Sequence, residues 1–466
     1  MRILLSVLFM TAFIMSDIFA QPNNFNTSLH KTRNGKAWWY AAERGGFAPI
    51  SGVPFDHPNM KCDKCHGATD ADGNAYPATF TPSCVDCHPT NSAFNKDSLK
   101  VSQCLSCHSR QNTEINAMAL PDVHRTAGFK CWDCHGSQDM HGDGTVYNSQ
   151  FDPGAIKTDC DNAGCHATLP STHAGNDPHN GKLHCNSCHA STVITCYNCH
   201  FESQVVGYKK RARMQIKDFV LLVNRTKDNK VTTASFQSVT YEGKAFVAMG
   251  PYSAHSIVKT GARTCSSCHA NFGGQIPAIT QYNTNGFIKF VTFNAADSGL
   301  TVTKGVVPVP NNYATAFRMD YLTYNGDPND PVVASKNWSP IGKDIPDGFQ
   351  MLYATPLSAE QMTKLGMTPT SVDETEGLNY SFRLNQNYPN PFNPVTTISY
   401  TVPEYTNVTL SIYDMSGKLV ETLINKQHAP GVYSINFNAV NLASGVYFYE
   451  LKSGNFSATK KLMLMK

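Results

Sequence analysis

Charged side chains are scarce in this sequence. Asp, Glu, Lys and Arg make up 16% of its 466 residues and nearly cancel, leaving a formal net charge of +3. This balance excludes the field of a polybasic nucleic-acid-binding protein, so we expect no nucleic acid partner. The hydrophobic content of 41% excludes a disordered chain. No stretch reaches the roughly 18 apolar residues of a transmembrane helix, and the length predicts two or three folded units.

The first 20 residues have the pattern of a secretory signal peptide. Arg2 precedes an apolar stretch from Ile3 to Ile14, and the small residue Ala20 comes just before a polar segment. At about a dozen residues, the apolar stretch is short for a membrane span. We therefore expect residues 1–20 to be removed and the chain to be exported; the alternative is a buried N-terminal helix.

Cysteine is confined to residues 62–268, where every cysteine belongs to a pair followed directly by histidine. Seven of these motifs have the spacing C-x-x-C-H: Cys62/Cys65/His66, Cys84/Cys87/His88, Cys104/Cys107/His108, Cys131/Cys134/His135, Cys185/Cys188/His189, Cys196/Cys199/His200 and Cys265/Cys268/His269. The eighth, Cys160/Cys165/His166, has four residues between its cysteines.

This pattern is the attachment site of a c-type haem, in which two thioethers hold the porphyrin and the adjacent histidine binds iron as the proximal ligand. Zinc sites and disulfides also use cysteine pairs, but neither needs a histidine after every pair. We therefore predict eight covalently bound haem c groups, each with one iron. For Cys160 and Cys165, a disulfide or unmodified thiols remain alternatives.

The other histidines supply candidates for the second axial position of each iron. Setting aside His428, which lies in the cysteine-free C-terminal segment, eight remain for eight irons: His30, His57, His124, His141, His173, His179, His184 and His255. Their number predicts that most or all of the irons have two histidine ligands, although any one could be an ordinary surface or core histidine. The order along the chain does not reveal which histidine serves which haem.

An iron with two histidine ligands has no vacancy for a substrate, so the pattern predicts electron transfer and no catalytic residue. Seven motifs fall within the 139 residues from Cys62 to His200, which forces successive porphyrins close together. We expect residues 21–204 to be a multihaem cytochrome region with little regular secondary structure, wrapped around a row of haems. The alternative is a reductase of a small nitrogen or sulfur oxyanion with one open haem. A surface adhesin with structural metal is a third reading.

Later residues alternate in hydrophobicity, as strands do. Residues 219–223, 231–239, 245–248 and 286–293 predict strands, with a hairpin turn at 227–230, and Ser358 opens a short helix with a capping box. We therefore predict a β-containing segment at 205–368 that holds the eighth haem, a linker at 369–380 and an all-β sandwich at 381–466.

The C-terminal segment resembles the sorting domain of type IX secretion cargo. The resemblance rests on LNQNYPNPFNP at residues 384–394, YDMSGK at 413–418, LASGVY at 442–447 and KKL at 460–462. It implies that the type IX secretion machinery is a partner and that the protein is secreted, to the outer cell surface or beyond it.

Residues 25–368 resemble extracellular octahaem and multihaem cytochromes of metal-reducing and related bacteria. The resemblance rests on TRNGK at residues 32–36, GGF at 45–47, YKK at 208–210, FQS at 236–238, GPY at 250–252 and HSI at 255–257. It implies extracellular electron transfer with redox partner proteins or extracellular electron acceptors. Because His30 lies far from any motif, a narrower hypothesis is a homopolymer, or nanowire, in which a terminal histidine ligates a neighbour's haem.

Overall fold

The structure is a computed structural model and describes most of the chain after residue 80. The described residues are 24–35, 81–88, 96–161, 165–166, 179–200, 216–269, 276–297, 299–326, 337–368, 382–387, 390–402, 406–428, 431–454 and 456–466. The predicted signal peptide, linker and first haem motif lie outside these residues, as do His57 and His173. The chain divides into two compact units, Met1–Thr370 and Ser371–Lys466.

Helices in the described part of the first unit are short, and none exceeds nine residues. The α-helices are Leu29–Thr32, Cys84–Cys87, Val101–Cys107, Ser109–Asn112, Val123–Thr126, Cys131–Cys134, Ser137–His141, Asn186–His189, Cys265–Cys268, Pro277–Asn285, Tyr313–Ala316 and Ala359–Lys364. A π-helical turn occupies Thr113–Ala117, and single 3-10 turns occupy Phe25–Thr27 and Lys96–Ser98. Short helices that begin near cysteine pairs agree with the predicted scarcity of regular structure between residues 81 and 189.

Strands dominate the rest of the first unit. They are β1 (Cys196–His200), β2 (Phe219–Arg225), β3 (Val231–Tyr241), β4 (Lys244–Pro251), β5 (Ile288–Asn294), β6 (Gly299–Val302), β7 (Gly305–Pro308), β8 (Phe317–Met319), β9 (Leu322–Tyr324), β10 (Trp338–Pro340), β11 (Gly348–Met351) and β12 (Ala354–Thr355).

Seven of these strands form one mixed sheet. Its main path runs β11-β4-β3-β2-β12, with β1 parallel to β3 and β7 parallel to β2. Strands β2, β3 and β4 are consecutive antiparallel neighbours. Strands β6, β5 and β8 form a second sheet, and β9 pairs with β10.

Four aromatic rings occupy the centre of this unit. Phe219, Phe236, Phe290 and Phe317 are buried, and the centroids of successive rings lie 4.8 to 6.1 Å apart. Such contacts add to the stabilisation from apolar burial. These rings form part of the hydrophobic core of the first unit.

Backbone hydrogen bonds attach the motif segments to β3 and to the residues that follow β4. The N–H of His184 donates to Val231 O at 2.8 Å, and that of Ser191 donates to Ser256 O at 2.8 Å. The N–H of Val123 donates to Ile257 O at 2.9 Å. The first residue of β3 and the residues after β4 therefore position the chain around three different histidines.

The second unit is built from two antiparallel sheets. Its strands are β13 (Arg383–Leu384), β14 (Val395–Val402), β15 (Thr406–Tyr413), β16 (Leu419–His428), β17 (Gly431–Asn438), β18 (Gly445–Ser453) and β19 (Phe456–Leu464). One sheet has the order β13-β14-β17 and the other β16-β15-β18-β19. Ile398, Tyr400 and Val402 alternate along β14 and are buried, as expected for a strand with one face in a core. This arrangement agrees with the predicted all-β sandwich.

The predicted secondary structure after residue 216 is confirmed where a local signal was strong. Strands β2 and β3 form the expected hairpin, and Asn229 in its turn has a φ of 57°. The helix Ala359–Lys364 has the expected capping box with Ser358. Among the described residues, no helix combines the length and apolar character needed to cross a membrane.

Candidate functional site

Five cysteine motifs have the same local fold. In each, the backbone N–H of the histidine donates to the carbonyl of the first cysteine, which closes a helical turn. The distances are 2.8 Å for His88 and Cys84, 2.9 Å for His108 and Cys104, 2.9 Å for His135 and Cys131, 3.0 Å for His189 and Cys185, and 2.8 Å for His269 and Cys265. The turn fixes both thiols and the imidazole relative to one another, as two thioethers and one axial ligand require.

The long motif closes the same way despite its extra residues. His166 N donates to Cys160 O at 3.2 Å, so the histidine is joined to the first cysteine as in the regular motifs. Haem attachment at Cys160 and Cys165 remains a prediction, with a disulfide or unmodified thiols as the alternatives.

The motif at Cys196 differs from these six. It lies on β1, beside β3, and the register shifts between Cys196 and Cys199. The side chains of Cys199 and His200 lie outside the described part of the chain, as do Cys62, Cys65 and His66. Their predicted roles remain predictions.

Five motif histidines each face one histidine from outside the motifs. The ring centroids are 6.0 Å apart for His30 and His108, 6.2 Å for His88 and His141, 6.2 Å for His124 and His166, 6.4 Å for His135 and His255, and 6.2 Å for His179 and His269. Of the six described candidates for distal ligands, five thus lie opposite a candidate proximal ligand.

These separations match two imidazoles on opposite sides of one metal. With a metal–nitrogen bond of about 2 Å, linear coordination places the ring centroids about 6.3 Å apart, whereas two ligands of a tetrahedral zinc would place them about 5.2 Å apart. The angles between ring planes range from 14° to 68°, and rotation about the nitrogen–metal axis leaves the separation unchanged. The five pairs fit the axial positions of a haem iron.

Hydrogen bonds at Nδ1 orient several imidazoles. The Nδ1 of His189 lies 2.9 Å from Val258 O, and that of His269 lies 2.7 Å from Lys364 O. His135 Nδ1 instead lies 3.1 Å from Asp139 Oδ2. Each contact leaves Nε2 as the nitrogen available to a metal, as is usual for ligand histidines.

Burial favours the neutral form that metal binding requires. It lowers the pKa of His30, with further lowering by nearby His141, and it lowers the pKa of His141 beside His88. His30 faces His108 of its own chain, and the homopolymer hypothesis remains a prediction.

The imidazole of His184 contacts a carboxylate and a hydroxyl group. It is buried, its Nε2 lies 2.8 Å from Asp159 Oδ1, and its Nδ1 lies 3.4 Å from Thr232 Oγ1. The hydrogen bond from His184 keeps the pKa of Asp159 well below its usual range. To bind iron, His184 would have to leave this carboxylate.

Thiols from different motifs shift one another's pKa. A hydrogen bond between Cys104 and Cys131 raises the pKa of Cys104 and lowers that of Cys131, and one between Cys160 and Cys185 does the same for Cys160 and Cys185. Burial raises the pKa of Cys87, Cys134 and Cys268, and the charge of a thiol from another motif adds to each rise: Cys107 for Cys87, Cys165 for Cys134 and Cys188 for Cys268. These electrostatic interactions relate six motifs in one series, which begin at Cys84, Cys104, Cys131, Cys160, Cys185 and Cys265.

Candidate metal ligands converge at one place in the described part of the chain. Within the described part of the chain, one group of three candidate ligand atoms lies within 4.8 Å of one another, formed by Asp159, Cys160 and His184. A structural zinc site collects four ligands around one point, and in the regular motifs the cysteines and histidine do not converge in this way.

Two carboxylates near the histidine pairs were not expected from the sequence. Asp139 lies four residues after His135, which is a weak local signal, whereas Glu114 approaches His255 across 141 residues of chain. Only the fold brings Glu114 and His255 together.

Comparison with known families identifies the second unit. Residues 386–465 match the secretion system C-terminal sorting domain. The sorting domain of the type IX system directs export, so the protein is located at the outer surface or outside the cell. No curated protein matches the chain.

Two solved structures from Porphyromonas gingivalis share limited similarity. PorZ, a surface component of the type IX secretion system, is 20% identical with a TM-score of 0.14, over 22% of this chain and 13% of PorZ. Dimeric latent PorU is 15% identical with a TM-score of 0.16, over 28% of this chain and 11% of PorU. The chain thus spans a small part of either protein.

Proposed function

We propose that this exported protein is an octahaem c-type cytochrome that carries electrons outside the cell. The observation that carries the proposal is the set of five histidine pairs, each joining a motif histidine to one from elsewhere at 6.0 to 6.4 Å between ring centroids. An arrangement that recurs five times with the spacing of axial ligands favours haem over unrelated surface histidines.

The chain's residues have distinct roles in this proposal. The cysteine thiols would hold each haem, and the motif histidine and the histidine opposite it would both bind its iron. The haem would supply a reversible one-electron change at iron. With both histidines bound, the iron would have no position for a substrate, and each such centre would be suited to electron transfer.

The electrostatic interactions between thiols of different motifs support a row of haems in a defined order. A thioether sulfur is one carbon from the porphyrin edge, so motifs whose thiols interact would hold two porphyrin edges near each other. The proposed order of the six connected haems follows their cysteines: Cys84, Cys104, Cys131, Cys160, Cys185 and Cys265. Electrons would enter from a redox partner and leave to an acceptor outside the cell.

A reductase with one open haem remains the second candidate, favoured by His184. If His184 keeps Asp159 as its partner, the chain has one histidine fewer than its eight irons need. Carbon monoxide binds only to reduced iron with a free or displaceable axial position. Stoichiometric binding to the wild-type protein would therefore favour the reductase, and no binding favours the electron carrier.

The test combines a haem count with one ligand variant. We expect a pyridine haemochrome assay and mass spectrometry to give eight haems, including one at Cys160 and Cys165. His124→Gln should open the iron of His166 and add one carbon monoxide site without loss of haem. His428→Gln is the matched control, because His428 contacts Tyr400 in the second unit.

Two results would contradict the proposal. A colourless protein excludes haem altogether. A His124→Gln variant that stays fully low-spin and binds no added carbon monoxide contradicts the axial role of the histidine pairs.

A further inference from the structure

One histidine pair has a carboxylate beside both of its imidazoles. His135 Nδ1 lies 3.1 Å from Asp139 Oδ2. On the opposite ring, His255 Nδ1 lies 3.6 Å from Glu114 Oε2. This second distance is too long for a hydrogen bond, so the Glu114 carboxyl group lies beside the ring without bonding its Nδ1.

Both carboxylates are buried and held in place. The side chain of Asp139 is 3% exposed and that of Glu114 is 0% exposed. Asp139 also accepts the N–H of Lys157 at 2.7 Å and the hydroxyl of Thr158 at 2.5 Å, and Glu114 Oε2 accepts the N–H of His255 at 3.0 Å. These contacts fix each oxygen relative to its imidazole.

Two other described motif histidines have neutral acceptors at Nδ1. His189 contacts the carbonyl of Val258, and His269 contacts the carbonyl of Lys364. A carboxylate withdraws the Nδ1 proton more strongly than a carbonyl, so the ring becomes a stronger electron donor to its metal. Stronger donation and nearby negative charge both stabilise ferric over ferrous iron.

We propose that Asp139 and Glu114 make the haem between His135 and His255 the centre of lowest reduction potential among those whose histidine pairs the structure describes. The inference rests on the proposed function. Asp139 is a positioning residue that acts through His135. In the proposed order of haems, the motif of His135 lies between those of His108 and His166. The reduction potential would therefore drop at a haem in the interior of the row.

The test is a spectroelectrochemical titration of the full-length holoprotein. Asp139→Asn and Glu114→Gln should each shift one of eight redox components to a more positive potential and leave seven in place. The haem count and the low-spin spectrum should not change. Asp143→Asn is the matched control, because Asp143 lies in the same stretch and bonds Tyr147 and Thr145 instead of a histidine.

Each outcome decides one question. If Asp139→Asn does not accumulate as holoprotein, Glu114→Gln alone gives the result, since glutamine retains an acceptor for the His255 N–H. Unchanged potentials, a negative shift or a new high-spin signal in the variants overturns the inference while leaving the haem count intact. Absence of haem in the wild-type protein contradicts the proposed function itself.

Discussion

At the scale of single residues, Tyr449 shows how a buried hydroxyl holds the second unit together. Its ring is fully buried between the two sheets. The hydroxyl donates to Asn385 O at 2.7 Å and accepts the N–H of Asn387 at 2.8 Å. One side chain on β18 thereby satisfies the backbone that leads from β13 towards β14.

We expect Tyr449→Phe to destabilise the second unit by about 1–3 kcal/mol, because two buried backbone groups lose this partner. Urea unfolding of residues 371–466 expressed alone would measure the change, since that core comes entirely from its own strands. Tyr447→Phe is the control, because its hydroxyl bonds Ala443 O at an exposed position. Equal losses in the two variants would contradict this account.

The sequence predicted which residues belong to the candidate sites better than which residues meet. The cysteine motif identified His135 as a candidate ligand, and the count of the remaining histidines identified His255. Their encounter depends on the sheet and on the segment after β4, which no local pattern reveals. The same count made His184 a candidate ligand, yet the fold places Asp159 at its Nε2.

At the scale of elements, the helix Ala359–Lys364 links a capping signal to a motif histidine. Ser358 Oγ accepts the N–H of Gln361 at 3.2 Å, and the Gln361 side chain accepts the N–H of Ser358 at 2.8 Å. At the other end, Lys364 O contacts His269 Nδ1 at 2.7 Å. The cap therefore helps to fix the orientation of His269.

We expect Ser358→Ala to lower the local opening free energy of this helix by about 1 kcal/mol. Amide hydrogen exchange across residues 359–366 should accelerate by about fivefold. Ser358→Thr retains the acceptor and should exchange nearly as the wild type does. If alanine and threonine give the same rate, the capping hydrogen bond has no role in stability.

The secondary-structure elements were predicted correctly where the sequence signal came from neighbouring residues. The turn at residues 227–230 and the capping box at Ser358 involve neighbours, so their residues alone predicted them. Strand β1 was not predicted, because Cys196 and Cys199 belong to a haem motif that elsewhere forms a helical turn. Pairing with residues of β3 that lie 40 or 41 positions later in the sequence sets its extended form.

At the scale of the whole molecule, the two compact units have separate tasks. The first unit contains every cysteine of the chain, and the second contains the sorting domain. Export and the proposed electron transfer therefore depend on different stretches of the sequence.

We expect removal of residues 371–466 to keep the protein from reaching the outer surface while leaving the first unit folded. Fractionation with immunoblotting and haem staining would locate the truncated chain. As a control, residues 371–466 fused to a reporter with its own signal peptide should carry the reporter outside. A truncated chain found outside the cell at wild-type levels would contradict this expectation.

The five histidine pairs have a further consequence for survival outside the cell. The stretches between paired histidines are 30–108, 88–141, 124–166, 135–255 and 179–269, and each overlaps the next. If iron joins each pair, any single cleavage between residues 30 and 269 falls inside at least one closed ring. The severed pieces would stay tethered, so a protease in the surroundings could nick this protein without releasing a fragment.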